Sequence, residues 1–213
     1  MKIFVLISAL LILISCGKGQ DASNHSLSEL EVDRLQLPQI NNSTSGLEWK
    51  DSYSKAIVTE ILKDENSSIL NRSISTKDLD ELGCPNLNKM NYEEKISFFI
   101  VYLSAIAEAE SDFNNFSKSK APDNTINVGL FQIDKNSAKR HGGVKYKNIT
   151  NKELEIGEVN STIAVNILRN QLRDRKNSLL PKYYWEVLYG ERGFKNFIRH
   201  FNNHLDQLNC GSL

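Results

Sequence analysis

The apolar stretch at residues 96–107 constrains the fold of this chain more than any other feature of its sequence. Asn91 precedes the stretch and Glu94 follows three residues later, which is the arrangement of a capping box at a helix N-terminus. The pattern predicts a helix from Asn91 to about Phe113, most of which is buried. A helix of this length and hydropathy needs other elements packed around it, so the sequence predicts a domain built on this helix.

This helix ends in carboxylates, and one of them continues its apolar face. Four residues of the same stripe lie 4, 7, 11 and 14 positions before Glu110: Ile106, Leu103, Phe99 and Ile96. Glu108 lies about 200° around the helix from Glu110 and is expected to face solvent. A carboxyl at the end of an apolar stripe is poorly solvated, which raises its pKa and suits it to general-acid catalysis. The alternative is a structural glutamate paired with Lys or Arg.

The remaining pattern is mainly helical. We expect a helix from Leu47, a short one at 76–82, another at about 158–175, and a last pair that starts near Pro181 and Gly193. The segment "DNTINVGLFQID" after Pro122 is expected to form a short irregular hairpin. The predicted fold class is therefore mainly α, a helical domain with a small β-hairpin insertion.

The N-terminus has the pattern of an export signal. Lys2 precedes an apolar run at 3–13, which is shorter than the roughly 20 residues of a membrane span. The ending "LISC" resembles a bacterial lipobox, which implies cleavage before Cys16 and lipidation of its sulfur. The alternative is a plain cleaved signal. Residue 17 is Gly and not the Asp that retains lipoproteins in the inner membrane. This favours a location at the outer membrane, facing the periplasm or the cell surface.

These patterns divide the chain into three parts. We expect a signal peptide at 1–15, a lipidated Cys16 with a polar tether at 16–46, and a domain at 47–213 with a motif core of about 91–193. Export also suggests that Cys84 and Cys210 form a disulfide, worth up to about 4–5 kcal/mol for so long a loop. The alternative is two buried thiols.

The charges are balanced overall but not along the chain. Residues 135–200 hold 14 Lys/Arg and 6 Asp/Glu, whereas residues 17–134 hold 11 and 19. A basic C-terminal part suits an anionic polymer such as the cell wall, or it is a set of solvated helix faces. An exported chain without strong net charge is not expected to bind nucleic acid. His200 and His204 are spaced as a metal pair but have no third ligand nearby in sequence, so we expect no metal and no organic cofactor.

Three motifs occur in a fixed order. They are "AEAES" at 107–111, "VGLFQID" at 128–134 and "EVNSTIAVNILRNQL" at 158–172. Together they resemble the lysozyme-like lytic transglycosylases (SLT domain) and the goose-type lysozymes, over about residues 105–193. The resemblance implies a monomeric enzyme that cleaves peptidoglycan glycan strands between N-acetylmuramic acid and N-acetylglucosamine.

The same resemblance assigns roles to single residues. It implies that Glu110 is the general acid, and that Asp134 and Asp123 position a nucleophilic water as in goose-type lysozymes. The alternatives are a turn residue for Asp123 and a helix N-cap for Asp134. It also implies substrate contacts at five further residues: Ser111, Gly129, Phe131, Gln132 and Tyr189. Gly190 stands where many family members have Asn after this tyrosine, and the aromatic run at 183–185 is either a sugar platform or core.

Two other classes of function remain open at this point. The domain is alternatively a catalytically inactive peptidoglycan-binding or scaffold lipoprotein, or an inhibitor or accessory protein of a wall-remodelling complex. A pure binder has no need of a protonated carboxyl, which favours the enzyme. The choice between hydrolysis and formation of an anhydro sugar depends on whether a second carboxylate holds water.

Overall fold

A computed structural model describes residues 32–63 and 69–211 of the 213-residue chain. The predicted signal peptide and Cys16 lie outside the described residues. The helices run Asp51–Leu62 (α1), Thr76–Glu81 (α2), Tyr92–Ser111 (α3), Lys135–His141 (α4), Asn151–Leu154 (α5), Gly157–Asp174 (α6) and Glu191–Asn202 (α7), and the strands Lys118–Lys120 (β1) and Ile126–Val128 (β2). In these ranges, none of the helices has the length and hydropathy that a membrane span requires.

Helix α3 begins at the predicted cap. The side chain of Asn91 accepts a hydrogen bond from the Glu94 N–H at 3.0 Å, and Glu94 Oε2 accepts one from the Asn91 N–H at 2.8 Å. The predicted capping box is therefore confirmed. The helix ends after Ser111 because Asp112 takes a left-handed backbone conformation with φ of 56°. All residues from 98 to 107 are buried, so α3 is the central helix of the fold.

Helices from both ends of the sequence enclose α3. α7 packs along it, with ring centroids 5.5 Å apart for Phe98 and Phe201 and also for Tyr102 and Phe197. Such edge-on aromatic pairs stabilise a core beyond their burial of apolar area. α1 packs against both α3 and α6, which joins these helices into one apolar core. The predicted mainly helical class is confirmed.

A two-stranded hairpin follows α3. β1 and β2 are antiparallel, with Lys118 opposite Val128 and Lys120 opposite Ile126. A bridge between Val128 and Ile133 then turns the chain tightly back toward α4. The predicted β insertion is therefore present, and its second strand leads directly into the "GLFQ" segment.

Cys84 and Cys210 form a disulfide across 126 residues of sequence, as predicted. Both cysteines are buried, and the bond fixes the turn before α3 to the last described residues of the chain. On the chain-entropy model a loop of this length stabilises the fold by up to about 5 kcal/mol.

Residues 32–46 pack on the domain, so the predicted tether at 16–46 is wrong for this part. The Gln39 N–H donates to Gln207 Oε1 and Gln207 Nε2 donates to the Gln39 carbonyl, both at 2.8 Å. The Asn41 N–H donates to Nε2 of the buried His204 at 3.0 Å. Backbone groups thus find partners near the C-terminus that the polar composition of this segment does not reveal.

No helix begins at Pro181, which contradicts the prediction there. Residues 179–184 form an irregular bend before a short 3₁₀ helix at Glu186–Leu188. The carboxylate of Asp78 on α2 accepts hydrogen bonds from the Leu179 N–H at 2.6 Å and the Leu180 N–H at 3.1 Å. These contacts satisfy the backbone donors just before Pro181 and fix this segment to α2.

Candidate active site

Glu110 lies in the last turn of α3 and is partly buried. Its withdrawal from water raises the pKa of its carboxyl to about 7, and the nearby negative charge of Glu186 adds to this rise. An interaction with the backbone of Val187 acts in the opposite direction and is outweighed. A carboxyl with this pKa is substantially protonated near neutral pH, which is what a general acid requires.

Glu108 is buried and does not face solvent, so that prediction is wrong. Its carboxylate lies 3.4 Å from Arg199 Nη2 and 3.5 Å from His200 Nδ1, both on α7. Burial raises the pKa of Glu108, but His200 and Arg199 outweigh burial and the net pKa is lowered. Two glutamates that are two positions apart thus have opposite environments, because only Glu108 meets Arg199 and His200 across a helix interface.

The hairpin that faces α3 is held by Asn160 of α6. Its Nδ2 donates to the carbonyls of Val128 at 3.0 Å and Leu154 at 2.9 Å, and its Oδ1 accepts from the Phe131 N–H at 2.8 Å. The side chain is fully buried, and these three bonds fix both sides of the "GLFQ" turn. The third sequence motif therefore positions the second.

Gly129 permits this close packing. Its φ is +83°, and a Cβ there would lie 2.5 Å from the Leu154 carbonyl oxygen and 2.6 Å from Asn160 Nδ2. This close approach is to α5 and α6, and the glycan contact that the resemblance implies for Gly129 stays a prediction. A side chain at residue 129 would push the hairpin away from α6.

Three of the predicted substrate contacts are engaged within the protein. Phe131 is fully buried, with its ring 6.2 Å from that of Trp185 and 6.5 Å from that of Trp49, so its side chain belongs to the core and does not wall a subsite. Gln132 Nε2 donates to the Gly129 carbonyl at 2.9 Å. Ser111 Oγ lies 2.8 Å from the Leu130 carbonyl oxygen and ties the end of α3 to this turn.

Each of the two aspartates accepts hydrogen bonds from backbone N–H groups close to it in sequence. Asp134 Oδ1 accepts from the N–H groups of Asn136 at 2.8 Å and Ser137 at 3.1 Å, so Asp134 caps α4. Asp123 is exposed at the hairpin tip, where it accepts from the Thr125 N–H at 2.9 Å, and this bond lowers its pKa. A groove has a volume of about 230 Å³, and its lining includes Asn124, Thr125, Ile126, Asp134 and Asn151. Asp123 is thus a turn residue and Asp134 is a helix N-cap, which are the two alternatives raised from the sequence.

Sequence reasoning missed Glu186 and named Tyr184 only as part of the aromatic run at 183–185. Burial raises the pKa of the Tyr184 hydroxyl, which also has hydrogen-bond interactions with the Ser137 side chain and the Asp134 backbone. The charges of Asp134 and Glu110 raise this pKa further, so Tyr184 lies near both carboxyls. The aromatic run at 183–185 gave a signal for Tyr184, but nothing singled out the acid after it.

The other aromatic residues of this region differ in exposure. Trp185 is buried and donates from Nε1 to the Phe131 carbonyl at 3.3 Å, so it is core. Tyr189 is 41% exposed, and Lys182 Nζ lies 5.7 Å from the centre of its ring. Tyr189 therefore remains available to a ligand, as its predicted role requires.

The His200–His204 pair is engaged within the protein. His204 Nδ1 lies 2.8 Å from the His200 carbonyl oxygen, and its Nε2 accepts from the Asn41 N–H. His200 Nε2 lies 3.4 Å from Ser104 Oγ, and its Nδ1 faces Glu108. Across the described parts of the chain, no group of three His, Cys, Asp or Glu side chains could hold a metal ion.

Comparison with known proteins agrees with this geometry. Residues 89–190 match the family "Transglycosylase SLT domain". The solved structure "Bd0314 DslA wild-type form 2" is similar at a TM-score of 0.61 and 19% identity, over 79% of this chain and 93% of that one. A Glu-to-Gln mutant of Bd0314 DslA is similar at a TM-score of 0.62 and 18% identity, over 81% of this chain and 98% of that one. No curated protein matches. Residues 89–190 therefore belong to the transglycosylase SLT domain family, and the chain has its lysozyme-like α+β fold.

Proposed function

We propose that this protein cleaves peptidoglycan glycan strands between N-acetylmuramic acid and N-acetylglucosamine, with Glu110 as the general acid. The SLT domain supports a transglycosylase or glycosidase that acts on peptidoglycan in general. The observation that carries the finer proposal is the pKa of Glu110, raised to about 7 by burial and by Glu186. With this pKa the Glu110 carboxyl is protonated in a substantial fraction of molecules at neutral pH, as a general acid requires.

The chemistry follows from this protonation state. Protonated Glu110 gives its proton to the glycosidic oxygen, the bond to the anomeric carbon breaks, and positive charge develops on the sugar ring. A water molecule held by a second carboxylate then attacks, or the sugar's own hydroxyl closes an anhydro ring. The first course is that of a lysozyme and the second that of a lytic transglycosylase.

We also propose that the protein is a monomeric lipoprotein of the cell envelope, anchored through Cys16. The lipobox-like "LISC" supports lipidation, and the disulfide suits an oxidising compartment. Mass spectrometry of the mature N-terminus tests this. Acyl chains on Cys16 that disappear in Cys16→Ala are expected, and an unmodified cysteine would leave only a cleaved signal peptide.

The direct test of function is digestion of purified peptidoglycan, followed by mass spectrometry of the released fragments. Wild type should release fragments, and Glu110→Gln should slow release by about 10²–10⁴-fold, the usual contribution of a general acid. Glu93→Gln is the matched control, because Glu93 is an exposed glutamate in the first turn of the same helix. Binding without release, equal in wild type and Glu110→Gln, would make the protein a glycan-binding lipoprotein instead.

A further inference from the structure

The run of chain from α4 into α5 carries a concentrated positive charge. Residues 135–152 include no Asp or Glu and six Lys or Arg: Lys135, Lys139, Arg140, Lys145, Lys147 and Lys152. All six are exposed, and within the described parts of the chain none of them forms an ion pair. We call these six cations the basic face.

The acidic residues on either side of this run are engaged with other groups. Asp134 accepts from two N–H groups at the start of α4. Glu153 accepts from the N–H of Thr150 at 2.8 Å and from its hydroxyl at 2.7 Å. Glu155 pairs with Lys118 of the hairpin at 2.6 Å. None of these three carboxylates is therefore paired with a cation of the basic face.

The basic face borders the polar groove of about 230 Å³. Lys135 and Asn136 at the start of α4 line this groove, and so does Asn151 at the start of α5. Between them the chain folds back on itself, since a Cβ on Gly142 would collide with the ring of Tyr146. The chain thus leaves the groove and returns to it, which keeps the six cations in one area of surface beside the groove.

One short turn joins the groove to the end of α3. Ser111, the residue after Glu110, donates from Oγ to the Leu130 carbonyl at 2.8 Å. Asp134, which lines the groove, follows four residues after Leu130. Groups that project from a glycan strand bound at Glu110 can therefore extend into the groove and onto the basic face.

Peptidoglycan, on which the SLT family acts, offers one kind of group that fits this surface. Its sugars carry no net charge where the muramic acid carboxyl is joined to a peptide, whereas the peptide stems carry free carboxylates. Cations gathered on one surface attract such an anionic polymer and select it over neutral ones. Between residues 135 and 152 the one exposed large apolar side chain is Val144, which is too little area for insertion into a lipid bilayer.

We propose that the basic face binds the carboxylates of the peptide stems, so that the protein prefers glycan strands that carry peptides to strands without them. This inference rests on the proposed function, because the stems belong to the strand that Glu110 would cleave. It adds a substrate preference to that function. It also makes binding sensitive to salt, because salt screens exposed charges.

Co-sedimentation with purified peptidoglycan sacculi tests the proposal. The probe is sacculi freed of phosphate polymers, compared with the same sacculi after their carboxylates are converted to neutral amides. Glu110→Gln serves as the parent protein, because it should bind without rapid cleavage. At low salt it should bind native sacculi at least tenfold more tightly than amidated sacculi, and the difference should disappear at about 1 M salt.

The residues are tested in the same parent protein. The triple change Lys139→Gln, Lys147→Gln, Lys152→Gln should weaken binding to native sacculi about tenfold, at about twofold for each exposed ion pair that is lost. It should also reduce the preference over amidated sacculi. The matched control is a triple change of exposed lysines outside the basic face, which should bind as the parent does: Lys77→Gln, Lys89→Gln, Lys195→Gln.

Equal binding to native and amidated sacculi would overturn the inference, and so would equal losses in the two triple variants. Weaker binding of the basic-face variant to phosphatidylglycerol vesicles, with unchanged binding to sacculi, would also overturn it, because the face would then serve a membrane. In these cases fragment release by wild type still supports the proposed function. Absence of release by wild type would instead overturn that function, because release depends on Glu110 and not on the basic face.

Discussion

Replacing Asn160 with alanine tests how the hairpin is held. The substitution removes three hydrogen bonds and leaves the Val128 carbonyl, the Leu154 carbonyl and the Phe131 N–H buried without that partner. At about 1 kcal/mol net for each bond, the free energy of unfolding should fall by about 3 kcal/mol. For a domain of this size that corresponds to a lower Tm by about 6–12 °C, at about 2–4 °C per kcal/mol.

Urea denaturation of purified variants measures this change. Asn170→Ala is the matched control on the same helix, because the Asn170 side chain pairs only with His141 Nδ1 among the described residues and is partly exposed. Asn160→Asp separates hydrogen bonding from cavity formation, since it keeps the shape but turns a carboxylate oxygen toward two carbonyls. It should be at least as destabilised as Asn160→Ala at pH 7. An Asn160→Asp protein as stable as wild type would refute the hydrogen-bond argument.

Three further predictions concern protonation, the disulfide and the cap of α4. The rate of cleavage should fall as pH rises through about 7, where Glu110 ionises. A raised carboxyl pKa means that stability is lost as pH rises from about 4.5 to about 7, so Glu110→Gln should melt above wild type at pH 8 and equal it at pH 4. The double variant Cys84→Ser, Cys210→Ser should lose about 4–5 kcal/mol in urea denaturation, and reductant should destabilise only wild type. Asp134→Ala should lose about 1 kcal/mol of stability as a missing N-cap, with a peptidoglycan-cleavage rate within about tenfold of wild type; a larger loss of rate would return the water-holding role to Asp134.

The sequence was sufficient to predict those features whose interacting residues are neighbours along the chain. The capping box at Asn91 and Glu94 and the apolar stripe that leads to Glu110 involve residues within a few turns of one helix, so they could be predicted. The hairpin was also predictable, from its turn residues and its family motif. In each case the interacting groups are close in sequence, and elementary helix and turn geometry brings them together.

The sequence was insufficient where a residue's partner is distant. Glu108 is buried because Arg199 and His200 reach it from a helix about 90 positions later, and nothing local indicates that pairing. Residues 32–46 have a polar, tether-like composition, yet Gln39 and Asn41 find partners near the C-terminus. Nothing in the local sequence around Glu186 indicates that the 3₁₀ helix that carries it packs against α3.

The Cys84–Cys210 bond has a consequence for how this protein would survive proteases. The bond spans 126 residues, and the whole candidate site from Glu110 to Tyr189 lies inside that loop. A single backbone cut between residues 85 and 209 would leave two fragments that migrate together on a non-reducing gel and separate after reduction. Because the fragments stay covalently joined, they remain at the high effective concentration of an intramolecular pair. Separating them therefore takes a second event, either another cut or reduction of the bond.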